Sequence, residues 1–118
     1  MTDLEKVHKL VEIIDSKKAR NIIALDLKGA TIIADYFVIC TAGSPAQMRA
    51  LYDAACEEMA KIGLPPLRTE GMKNPDWALI DFNGVMLHIF STNMRDFYGL
   101  DNLWAEAEKL QIDTIDEV

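Results

Sequence analysis

The dipeptide Asn83-Gly84 constrains this chain more than any other feature. A two-residue primed turn needs positive φ at both central positions, and Asn followed by Gly adopts that geometry at little cost. Apolar-rich runs flank it, WALIDF before and VMLHIF after. Counting outward from the turn predicts a hairpin in which Phe82 faces Val85, Asp81 faces Met86, Ile80 faces Leu87, Leu79 faces His88, Ala78 faces Ile89 and Trp77 faces Phe90. Successive side chains on a strand point to opposite faces. One face of the hairpin is therefore wholly apolar (Ala78, Ile80, Phe82, Val85, Leu87, Ile89) and must be core. The other carries Trp77, Leu79, Asp81, Met86, His88 and Phe90. It is too apolar for plain exposure, yet holds a His, an Asp and two large aromatics. Such a face is either covered by a helix or offered to a partner.

At 118 residues one domain is expected, assigned to 1–110 with an acidic tail at 111–118. A chain of this size buries roughly two thirds of its unfolded surface, enough for one sheet and a few helices. Its apolar runs are too short to span a bilayer. The opening MTDLEKVHKL has neither the pattern of a secretory signal nor the Arg- and Ser-rich character of a transit peptide, so a cytoplasmic location is expected. The net charge of −7 argues against a broad nucleic-acid surface, with no direct DNA binding expected, and favours a neutral or basic partner. Cys40 and Cys56 are in no metal-ligand spacing and read as buried reduced thiols.

Along the chain, Thr2 or Asp3 caps a first helix with an apolar stripe of Leu4, Val7, Leu10, Val11 and Ile14, and residues 15–18 form its polar exit. His8 lies beside the stripe as a solvated histidine. Strands follow over Asn21–Leu27 and Ala34–Thr41, with Asp35 and Tyr36 as strand-start and packing residues. Ser44 and Pro45 open a second helix, with Met48, Leu51, Ala55, Met59 and Ile62 inward and a ladder of Arg49, Asp53, Glu57 and Lys61 outward. Gly63 ends it. Leu67–Glu70 is a short strand near an edge, followed by the hairpin. A single helical turn over Thr92–Tyr98 comes next, and then a last helix capped by Asp101. The order α-β-β-α-β-β-β-α implies an α/β single domain, a mixed sheet of about five strands with flanking helices.

Chemistry finds little support. Gly43-Ser44, between a strand and a helix N-terminus, is where a phosphate could rest on backbone N–H groups, as in nucleotidyltransferases. Two-metal phosphoryl transfer also needs clustered carboxylates. No strand carries Asp-x-Asp, Asp53 is alone on a helix, and the close pairs Asp3/Glu5 and Glu106/Glu108 fall in helical segments. No Ser or Cys sits in a Gly-x-Ser-x-Gly elbow, and two histidines without a Cys pair make a zinc site improbable. Catalytic residues, metal and cofactor are therefore assigned as none. His88 and Asp81 share a face and could form a His–carboxylate pair. The mixed face continues into Arg95, Phe97, Tyr98 and Leu100, with Leu103 and Trp104 close behind. Aromatic residues, Met and Arg are enriched in interface cores, so the stretch reads as one binding surface.

Four segments together resemble the ribosomal silencing factor (Iojap-like) family. They are ADYFVICTAGSPAQMRA at 34–50, RTEG at 68–71, W-x-L-x-D-x-x-x-V-x-x-H-x-F at 77–90 and R-x-F-Y-x-L-x-x-L-W at 95–104. The resemblance implies a nucleotidyltransferase-like fold without catalytic acids, and a protein that is not an enzyme. It implies binding to the large ribosomal subunit through large-subunit protein fourteen, which blocks joining of the small subunit and lowers translation. It also implies a homodimer off the ribosome. Carried onto this sequence, the partner-binding residues are Trp77, Asp81, His88, Phe90, Arg95, Phe97, Tyr98 and Leu100, with Trp77 and Tyr98 as anchors. Two alternatives stay open: nucleotide handling at Ser44, and use of the mixed face as a homodimer surface.

Overall fold

The structure, a computed structural model, describes residues 2–28, 34–71 and 76–94, and the backbone of 108–109. Helix α1 (Asp3–Ser16) begins at Thr2, whose hydroxyl accepts the Glu5 N–H at 3.1 Å while the Glu5 carboxylate accepts the Thr2 N–H at 2.9 Å. This reciprocal box satisfies two donors that a helix start leaves open. Hydrogen bonds from the Thr2 N–H and then its side chain hold the Glu5 carboxyl below its ordinary range. Strands β1 (Arg20–Asp26) and β2 (Tyr36–Ala42) pair antiparallel, and helix α2 (Pro45–Lys61) follows. The chain returns through β3 (Arg68–Glu70), β4 (Trp77–Asp81) and β5 (Val85–Ser91), an antiparallel meander. A two-residue strand, β6 (Glu108–Lys109), pairs with β1.

The sheet order is β3-β4-β5-β2-β1-β6. β2 and β5 are its parallel pair, an arrangement that requires a crossover, and α2 lies within that connection. The expected mixed α/β sheet of about five strands is present, with β6 added beside β1. β3 is at an edge, as anticipated. β2 and β5 are buried along almost their whole lengths, as central strands covered on both faces are. On one side, Leu10 and Ile14 of α1 and Leu51 and Met59 of α2 pack with Val38, Ile80, Leu87 and Ile89. On the other, Leu25, Leu27, Phe37, Ile39, Met86 and Phe90 form a second cluster.

The hairpin has the register obtained by counting from the turn: Trp77↔Phe90, Ala78↔Ile89, Leu79↔His88, Ile80↔Leu87 and Asp81↔Met86. Asn83 has φ +62° and Gly84 φ +88°. The turn is also a docking point. Its Gly84 carbonyl accepts the N–H groups of Asp35 at 2.9 Å and Tyr36 at 3.1 Å. Lys6, buried on α1, donates to the Asn83 carbonyl at 2.9 Å and pairs with Asp3 at 3.2 Å. One short turn thus fixes the hairpin against both α1 and the start of β2.

Gly71 plays a comparable part between β3 and β4. Its φ is +80°, and an added Cβ would fall on the carbonyl oxygen of Trp77, well inside van der Waals contact. Both the backbone conformation and the space exclude a side chain. Gly71→Ala is expected to lower unfolding free energy by about 2 kcal/mol, read as a lower urea midpoint at unchanged slope.

Several expectations need correction. Leu4 is 41% exposed although Val11 and Asp15 on the same side of α1 are buried, because it lies in the first turn, at the end of the helix. Asp15, placed in the polar exit, is buried. Ile62 is 41% exposed, because α2 ends at Lys61 and Ile62 is its C-cap, where the chain leaves the helical direction. In the outer ladder Arg49 pairs with Asp53 at 3.3 Å, but Lys61 pairs with Glu58 at 2.8 Å instead of Glu57. Glu108 lies in β6, where the backbone bonds to β1, and not in a helix. Cys40 is buried and Cys56 only partly so, and partial burial pushes the Cys56 thiol up. Of the turn expected over 92–98, Thr92–Met94 is helical, with the Met94 N–H donating to the Ser91 hydroxyl at 3.2 Å. The rest of that turn, the last helix and the 111–118 tail lie outside the described residues.

Candidate functional site

The mixed hairpin face is neither wholly covered nor wholly open. Met86, His88 and Phe90 are buried, Leu79 and Asp81 partly so, and Trp77 is 36% exposed. The cross-strand register makes this a stack of rings. Trp77 lies nearly parallel to Phe90, with centroids 5.6 Å apart and planes at 13°. His88 lies parallel to Phe90 at 6.0 Å and 4°, and to Trp77 at 6.2 Å and 16°. Phe37 of β2 closes on His88 from the neighbouring strand at 4.4 Å and 56°. Aromatic pairs in this range add about 0.5–1.5 kcal/mol beyond the area they bury. Trp77 is the member of the stack that reaches solvent.

A hydrogen bond orders the stack. The Trp77 indole N–H donates to His88 Nδ1 at 3.3 Å. Indole nitrogen is a donor only, so Nδ1 must carry a lone pair and the neutral ring must hold its proton on Nε2. Nε2 is buried and has no hydrogen-bond partner among the described residues. Burial lowers the His88 pKa to about 4, because the charged ring would lose its hydration without an opposing charge.

The possible His88–Asp81 pair does not form. Leu79 stands opposite His88, and Asp81 lies one position nearer the turn on that face. Its oxygens are used locally: one accepts the Asn83 N–H at 2.9 Å and the other meets Arg68 of β3 at 3.3 Å. Asp81 therefore ties β3 to the hairpin turn. Arg95, Phe97, Tyr98 and Leu100 lie outside the described residues. Asp35 and Tyr36 keep their packing roles. Tyr36 is buried with its hydroxyl bonded to Lys28, and a hydrogen bond to Asp3 pushes the Asp35 carboxyl above its ordinary range. Two ties escaped the sequence: Arg68–Asp81 and Lys6–Asn83. Each joins residues distant in the chain with no pattern of spacing between them. The signal for Gly71 was present, a Gly closing a short strand before a polar loop.

At Gly43-Ser44 the Gly43 N–H and the neighbouring Gln47 N–H are already engaged. The Ser44 hydroxyl accepts the Gln47 N–H at 3.0 Å, and Gln47 Oε1 accepts the Gly43 N–H at 2.6 Å. A cleft of about 200 Å³ opens here beside Ser91 and Asp76. A phosphate would have to displace these bonds and approach the Asp76 carboxylate.

Residues 1–118 match the family described as "Ribosomal silencing factor during starvation". The chain belongs to the ribosomal silencing factor family. It is 32% identical over 115 residues to the ribosomal silencing factor RsfS of Halalkalibacterium halodurans, covering 98% of each chain. It is 33% identical over 99 residues to that of Bacillus subtilis, covering 84% of each. A crystal structure of a Chromobacterium violaceum protein superposes with a TM-score of 0.85 at 26% identity, covering 89% of this chain and 88% of that one. The resemblance carried by the four sequence segments is thus the family, and its α/β architecture is the one described above. Among the described residues, no helix is long and apolar enough to cross a membrane, and no three His, Cys, Asp or Glu residues are grouped to hold a metal ion.

Proposed function

We propose that this silencing-factor family member binds the large ribosomal subunit through large-subunit protein fourteen, blocks joining of the small subunit by occupying its space, and so represses translation in the cytoplasm. The observation that carries the proposal is family membership over the whole chain. The geometry supports a binding role over catalysis: the mixed hairpin face offers a half-exposed Trp on a rigid aromatic base, while the Gly43 N–H and the Ser44 hydroxyl oxygen are used at the start of α2. Large aromatics on rigid supports are the usual anchors of interfaces. Contacts are assigned to Trp77, Asp81, Arg95, Phe97, Tyr98 and Leu100. His88 and Phe90 act from beneath, since both are buried. A standard interface of about 1,600 Å² is ample for steric exclusion. The net charge of −7 disfavours ribosomal RNA and favours a basic protein surface. A homodimer off the ribosome is part of the proposal.

Trp77→Ala is expected to weaken binding to purified large subunits by about 30-fold, the effect of losing a 2 kcal/mol anchor. The far-ultraviolet dichroism should stay native. Wild-type affinity in pelleting assays would remove Trp77 from the contact surface.

A further inference from the structure

Resting on that reading, we infer that His88 is a positioning residue for the partner surface: its Nδ1 lone pair receives the Trp77 indole N–H and holds the indole parallel to Phe90, presenting one fixed outer edge of Trp77 to the partner.

Three observations bear on this. Trp77 is the half-exposed member of the stack, while His88 is buried beneath it and beyond direct reach of a docking protein. The only hydrogen bond found for the His88 ring among the described residues is the one from Trp77, and the other ring nitrogen is a buried donor without a partner among them. A histidine kept for stability alone would be a poor choice, because an unsatisfied buried donor is unfavourable and an apolar ring would fill the same space without it. What His88 supplies that Phe would not is an acceptor at the indole nitrogen. Stacking leaves an indole free to slide and flip within the plane of its platform; one directional bond at Nε1 selects a single orientation. Presetting an interface side chain removes part of the ordering cost of association.

The test uses the full-length chain. The variants are His88→Phe, which keeps a ring and removes the acceptor, and His88→Asn, which returns an acceptor near the Nδ1 position. Three measurements are made. Long-range proton–nitrogen NMR of the free protein should find His88 with its proton on Nε2. The Trp77 indole N–H, distinguished from that of Trp104 by Trp104→Phe, should exchange with water several-fold faster in His88→Phe. Large-subunit affinity should fall about fivefold in His88→Phe, the effect of one hydrogen bond, without a lower melting temperature, and should recover in part in His88→Asn. In a Trp77→Phe background, which has no indole N–H to hold, His88→Phe should change affinity no further. Unchanged indole exchange in His88→Phe, or an affinity loss that persists undiminished in the Trp77→Phe background, would overturn the inference. If the wild-type protein fails to bind large subunits at all, the proposed function falls while the exchange and tautomer measurements still decide the role of His88.

Discussion

Phe90→Ala is expected to cost about 3–5 kcal/mol of folding stability, the range for truncating a buried aromatic. Phe90 is 1% exposed and belongs to the second cluster, with Phe37, Ile39 and Met86. It sits opposite Trp77 on β4 and beside Thr41 on β2, so the cavity would open where the antiparallel meander joins the parallel pair. β strands on both sides are held by their ladders and cannot collapse far into the gap, which places the cost toward the upper part of the range. The variant should show a much lower urea midpoint. It should also bind large subunits less well, through loss of the platform under Trp77. Phe90→Leu, which refills most of the volume, should recover most of the stability. Binding lost at full stability would instead make Phe90 a direct contact, at odds with its burial.

Acidification is expected to destabilise the fold through His88 by about 3 kcal/mol. Its pKa is about 4 in the folded protein, against an ordinary value of 6.5. Because the unfolded chain binds the proton more readily, stability contributed by neutral His88 is fully present above pH 6.5. It is lost as pH falls from there toward 4, at about 1.4 kcal/mol per pH unit, and is gone below 4. Urea titrations at closely spaced pH values should show this slope in the wild type. His88→Phe should lack it, so the wild-type-minus-variant difference isolates His88 from the carboxylates that titrate in the lower part of the window. Parallel curves for the two proteins would mean that His88 is not held neutral by burial.

Much of the fold was legible because the decisive signals are local. Asn83-Gly84 fixed a register, and the register fixed which side chains share a face; the five pairs from Asp81–Met86 to Trp77–Phe90 are present, and the Phe82 N–H donates to the Val85 carbonyl across the turn. Thr2 and Ser44 marked helix starts through bonds that span three residues. Errors arose where local patterns met tertiary geometry. Leu4 and Ile62 continue an apolar periodicity past the point where each helix has a surface to cover. The candidate site was legible as a composition and less so as a depth profile. Period-two alternation places Trp77, His88 and Phe90 on one face but does not say that two are buried and one half-exposed, since that depends on what packs over a sheet and not on the strand itself. The missing Asp81–His88 pair has a similar origin: sharing a face does not bring side chains together when Leu79 stands across from one and Arg68 draws the other away.

Anti-association by a factor seated on the large subunit can be read by sedimenting purified subunits through a sucrose gradient with increasing amounts of this protein. The protein should travel with the large subunit, and the peak of joined ribosomes should shrink as its concentration rises. Migration with the small subunit alone, or a peak of joined ribosomes that stays constant at saturating protein, would contradict it.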